Sequence, residues 1–189
     1  MNVENYLNQS LTWDKYIAHI NDVIANGDQS DDKYQYYDLN LKRIERLIKK
    51  TTLSPEQEER VKKLDKKVIL FAITEGWCGD AAQILPVVEV LANQSPKLDT
   101  AFILRDSSDY IEHHLTNGGK SIPIVVGVDA ETKEEIFVWG PRPEWAKTLL
   151  AEYKSGKMNH DEFVIELQKS YNKDKGNAII NEFLDLLEK

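Results

Sequence analysis

Lys67-Val68-Ile69-Leu70-Phe71-Ala72-Ile73-Thr74-Glu75-Gly76-Trp77-Cys78-Gly79-Asp80-Ala81 is the stretch that decides the fold. Val68–Ile73 is a continuous apolar run, the pattern of a central strand buried on both faces. A polar turn follows, and then Ala81, Ile84, Leu85, Val88 and Leu91 recur at helical spacing until Asn93. Downstream, Thr100–Leu104 reads as a second buried strand. Ser107-Ser108-Asp109 predicts the cap of a short helix that Asn117-Gly118-Gly119 ends. Ile124–Val128 and Glu135–Trp139 read as strands, and Asp129–Thr132 between them is short enough for an antiparallel hairpin. Gly140-Pro141-Arg142-Pro143 leads into a helix from Glu144 to Tyr153. The order is therefore strand, helix, strand, helix, strand, strand, helix, an α/β pattern with a cysteine at its first junction.

Helices lie on either side of this unit. From Ser10, Trp13, Tyr16, Ile17, Ile20 and Ile24 form one stripe that Asn26-Gly27 stops. Tyr34, Tyr37, Leu41, Ile44 and Ile48 form a second stripe, in a helix expected from Asp31 to Thr51. Ser54-Pro55-Glu56-Gln57 is an N-cap with proline at the first helical position. Two more amphipathic helices are expected over 160–172 and 177–188, the first opened by Asn159 and Glu162 at capping-box spacing. The expected organisation is a helical extension over 1–65 packed on the core, an α/β domain over 66–155, and C-terminal helices over 156–189.

Composition narrows the function classes. Twenty-four basic against thirty-two acidic side chains give a net charge of −8 in 189 residues. That balance opposes general phosphate-backbone binding and anchoring to an anionic membrane, so neither nucleic acid nor membrane is an expected partner. The N-terminal segment lacks the basic start and apolar middle of a secretory signal, and a cytoplasmic location is expected. Cys78 is the only cysteine, so no internal disulfide can form, and no cysteine-rich zinc cluster is available. The four histidines show no metalloprotease spacing, and neither a metal nor another cofactor is expected.

The junction resembles the active-site region of the thioredoxin family. In that family a buried strand runs into Trp-Cys-Gly-Pro-Cys at a helix start, with a proline five residues after the second cysteine. Here Trp77-Cys78-Gly79-Asp80-Ala81 takes that place, and Pro86 stands five residues after Ala81. Ser121-Ile122-Pro123-Ile124-Val125 matches the family's second landmark, a cis proline opening the third strand, and Gly140 matches its late glycine. The likeness covers residues 66–155 and is nearest to a bacterial subgroup with helical additions and alanine for the second cysteine. It implies a thioredoxin fold: a four-stranded mixed sheet flanked by helices, here with N- and C-terminal helical additions.

Two departures bear on activity. The resolving cysteine is Ala81, and the acid the family buries six positions before its first cysteine is Ala72. A dithiol cycle within one chain is excluded by atom count. The resemblance makes Cys78 the candidate catalytic residue, a monothiol forming mixed disulfides with a protein thiol or disulfide partner or with glutathione. Trp77, Gly79, Asp80, Ile122, Pro123 and Arg142 are the candidate partner-binding residues, with Arg142 at the rim, placed to hold an anion such as a glutathione carboxylate.

At a helix N-terminus a thiolate is favoured, and the turn tip is expected to be exposed. Asp80 and Glu75 oppose that through like charge. His113 or His114 could supply a base. Redox exchange through Cys78 is the first expectation. The alternative is a non-catalytic thioredoxin-fold module that binds a protein partner.

Overall fold

The computed structural model describes residues 1–189. Eight α-helices and four strands follow in chain order: α1 (Glu4–Leu7), α2 (Trp13–Asn26), α3 (Tyr37–Lys50), α4 (Pro55–Lys62), β1 (Val68–Thr74), α5 (Gly79–Ala92), β2 (Leu98–Leu104), β3 (Ile124–Asp129), β4 (Glu135–Trp139), α6 (Glu144–Lys154), α7 (His160–Asp174) and α8 (Asn177–Leu187). The sheet order is β2-β1-β3-β4. β1 pairs parallel with β2 and antiparallel with β3, and β3 pairs antiparallel with β4. This is the mixed four-stranded sheet of the thioredoxin fold, flanked by helices.

The sheet is central because β1 has no polar face. Leu70, Phe71, Ala72 and Ile73 are all at most 1% exposed. Leu70 and Ala72 share one face by strand alternation, and through the register with Gly127, Val125 and Trp139 that face receives α8. There Phe183 packs on Trp139 with ring centroids 4.9 Å apart. Thr100 Oγ1 donates to Glu89 Oε2 at 2.6 Å, which places α5 on the same side. Phe71, on the opposite face, stacks on Tyr110, which stacks in turn on Tyr6 of the N-terminal segment.

The helices at both ends are docked rather than appended. Leu11 exchanges both backbone hydrogen bonds with Phe102, adding a one-residue bridge beyond the β2 edge. The Tyr16 ring stacks on Phe102 at 5.2 Å, and its hydroxyl lies 3.2 Å from Thr74 Oγ1. Arg60 of α4 donates to Asp185 and Glu188 at the end of α8, joining the two extensions. The expected capping box forms at Asn159 with Glu162, and the expected Ser54 N-cap goes further, closing a second box with Gln57.

Two elements differ from expectation. The helix expected from Asp31 opens as a 3-10 turn at Tyr34–Tyr36, and α3 begins only at Tyr37. The helix expected after Ser107 is only a single 3-10 turn, Tyr110–His113. Beyond it, Thr116 and Gly119 exchange both backbone bonds around Asn117 and Gly118, which have φ of 52° and 78°. Asn-Gly favours such a left-handed two-residue turn, and the chain folds back before a helix can propagate.

Candidate functional site around the cysteine

Cys78 is the N-cap of α5. Its Sγ accepts the Ala81 N–H at 3.4 Å, and its thiol donates to the Ile122 carbonyl at 3.4 Å. The Ile122–Pro123 peptide bond is cis. Cys78 and the Ile122-Pro123 loop, 44 residues apart, are therefore in direct contact.

The exposed tip expected from the sequence is not what forms, and the balance between helix terminus and carboxylate, which the sequence does not decide, falls against the thiolate. Cys78 is 8% exposed. Burial pushes the thiol up to about 12, and the Asp80 carboxylate pushes it the same way. The N–H groups of Ala81 and Asp80, and the Arg142 guanidinium, pull downward without reversing the result. Desolvation of the charged form outweighs the helix terminus.

The cover comes from distant segments. The carbonyl of Gly76 accepts from Asn40 Nδ2 of α3 at 3.0 Å, and Asn40 Oδ1 accepts from Arg43 Nη1 at 2.9 Å. A Cβ on Gly76 would stand 2.6 Å from the Tyr37 ring and 2.8 Å from Ile20, so the α2–α3 hairpin lies directly on the turn. At Gly79 the nearest atom to such a Cβ is Arg43 Nη1, at 3.6 Å. From the other end of the chain, Tyr171 of α7 donates its hydroxyl to Asp80 Oδ1 at 2.9 Å.

Arg142 does not stand open at the rim. Its Nη2 is 2.6 Å from Asp80 Oδ2, so the expected anion holder is committed to an internal carboxylate. The two C-terminal partners of Asp80 restrain it beside the thiol. Trp77 is half-buried, with Lys33 Nζ 4.7 Å and Arg105 Cζ 4.8 Å from its ring centroid. Asp106 joins those cations, accepting from Arg105 Nε at 2.7 Å and lying 3.6 Å from Lys33 Nζ. Glu75 is buried and accepts the Asp106 N–H at 2.9 Å, and burial raises its pKa.

The candidate base is not at this site. His114 lies 3.0 Å from Glu135, which pairs with Val128 beside Ile69 at the start of β1, the end remote from Cys78. Burial lowers its pKa. His113 lies 3.4 Å from the Tyr6 hydroxyl. No group of three His, Cys, Asp or Glu side chains is placed to hold a metal ion.

Three residues escaped the sequence reading: Asn40, Arg43 and Tyr171. Asn40 left a signal, because it is a polar residue at an inward position of α3 between Tyr37 and Ile44, and it is 1% exposed. Tyr171 left none, lying 91 residues from its partner Asp80.

Asp80→Asn keeps an acceptor for Tyr171, removes the like charge beside the thiol and frees Arg142 to act on it. Both changes lower the Cys78 pKa. Alkylation by iodoacetamide at pH 8 should accelerate several-fold, and an unchanged or slower rate would contradict the assignment.

The thioredoxin family model matches residues 27–154. No curated protein matches the chain. Among solved structures, a protein of unknown function from Pseudomonas aeruginosa is similar at 15% identity, over 96% of this chain and 94% of its own, with a TM-score of 0.67. An HIV epitope-scaffold is similar at 14% identity, over 100% of this chain and 98% of its own, with a TM-score of 0.70. These likenesses concern the fold alone, and they extend over the helices at both ends. No helix is long and apolar enough to cross a membrane.

Proposed function

The chain belongs to the thioredoxin family, and from that premise we propose that it is a partner-binding module in which Cys78 is a protonated, structural thiol. The observation that carries this reading is the state of the sulfur. It is buried, hydrogen-bonded on both sides and held up to about 12, where a nucleophile at neutral pH needs exposure and thiolate.

The binding surface is the Ile122 loop. Ile122 is 6% exposed and its N–H forms no hydrogen bond within the chain, while Ser121 beside it is exposed. A free donor next to Pro123 suits the main chain of an extended partner segment, which would pair as an added strand. Trp77, with Lys33 and Arg105 over its ring, flanks that loop and offers an amphipathic rim. The partner is a protein segment bound without covalent exchange.

A second reading retains specific support, because the Ala81 N–H and Arg142 both favour thiolate at Cys78. In that reading Cys78 thiolate attacks a partner disulfide, a mixed disulfide forms, and the displaced thiolate takes a proton. A second thiol, from glutathione or the partner, then releases the protein.

Capture from lysate with three baits separates the two. Wild type and Cys78→Ser should hold the same partners with equal yield and survive a dithiothreitol wash, while Ser121→Trp, a bulky change beside the Ile122 N–H, should lose them. Loss of the partners in Cys78→Ser, or on reduction, would overturn the binding reading in favour of exchange.

A further inference from the structure

A second site lies on the outer side of Tyr171, in the cleft where α3 and α7 end together. Arg46, Leu47, Lys50, Thr51, Tyr171, Asn172 and Lys175 line about 390 Å³. Three of the seven are cations and none is an acid. In a chain of net charge −8 that is a local reversal of sign. Arg46, Lys50 and Lys175 form no ion pair.

Part of this charge answers the helix ends. α3 stops at Lys50 and α7 at Asp174, so two carbonyl termini face the cleft. Each contributes roughly half a negative charge. Against three full positive charges, an excess of about two remains.

Geometry adds to charge. Arg46 Nη2 donates to Asn172 Oδ1 at 3.1 Å, so the guanidinium is held across the cleft mouth by the opposite helix. Thr51 is 8% exposed, and its buried hydroxyl has no hydrogen-bond partner. Leu47 and Tyr171, 9% and 6% exposed, supply an apolar wall. The volume is within the usual range for small-molecule sites and well beyond that of a bare oxyanion.

We propose that this cleft binds a phosphate monoester carrying an apolar or aromatic body. A guanidinium fork and two ammonium groups match a phosphate dianion. Thr51 Oγ1 completes the polar set, and Leu47 with the Tyr171 ring takes the organic body. The ligand then rests against the side chain whose hydroxyl holds Asp80.

Calorimetric titration of the full chain in low salt, with phenyl phosphate, adenosine monophosphate and inorganic phosphate, tests this. One organic phosphate should bind at a single site with a Kd below about 1 mM, at least about tenfold tighter than inorganic phosphate. Lys50→Glu and Lys175→Glu, both at surface positions, should each weaken it about tenfold while the melting temperature stays near wild type. Amide shifts on binding should centre on Thr51 and Asn172. Equal affinity for inorganic phosphate would overturn the organic body. Absence of binding by all three probes at 10-fold excess over that Kd, or affinity unaltered in both variants, would overturn the site.

Discussion

Gly140→Val is expected to destabilise the protein by about 3 kcal/mol or more, lowering Tm by roughly 6–12 °C for a chain of this size. Gly140 has φ of +126°, a region that a β-branched residue does not tolerate. The added Cβ would stand 2.5 Å from the Pro123 carbonyl oxygen and 3.3 Å from Ile124 Cα. Both contacts are backbone at the start of β3, paired in the sheet centre, so neither can yield cheaply. Gly118→Ala is the matched control. It too has positive φ, +78°, but its Cβ would meet nothing within 4 Å, so only conformational strain of about 1 kcal/mol remains. Thermal denaturation of both variants checks the contrast. A Gly140→Val melting temperature within 2 °C of wild type would mean that the close approach of β4's end to the Pro123 loop is not a constraint.

The residues that built this fold were legible wherever the signal was local. The unbroken apolar run of β1, the Ile124–Val128 strand with its short turn to β4, and the Asn159 capping box each carry their instruction within a few residues. The Thr116–Gly119 turn carries a local signal with two meanings, since Asn117-Gly118 suits a helix end as well as the tight turn it forms.

The state of the cysteine was not legible, for a different physical reason. Position at a helix N-terminus is a local fact and favours thiolate. Desolvation is a tertiary fact, supplied by α3 from about forty residues upstream and by α7 from about ninety downstream. The sequence contains both helices and their apolar stripes, but nothing in a stripe says which turn it will cover. Arg142 illustrates the same limit. Its place after Gly140 put it near the cysteine, yet its pairing with Asp80 depends on how the 78–80 turn and the 140–143 loop meet.

The rate at which Cys78 reacts with iodoacetamide, followed against pH, reads the state of the sulfur itself. With the thiol near 12 and an unstructured cysteine near 8.5, the thiolate fraction at pH 7.4 is smaller by about three to four decades. The greater intrinsic nucleophilicity of a more basic thiolate recovers between one and two of those decades. Cover by the surrounding side chains adds to the deficit. Cys78 should therefore react about a hundredfold more slowly than a cysteine peptide at pH 7.4. Its rate should climb nearly tenfold per pH unit to pH 10 without levelling, while the peptide's levels off near pH 9. A rate equal to or above the peptide's, or a plateau reached below pH 8, would show a working thiolate and contradict the account.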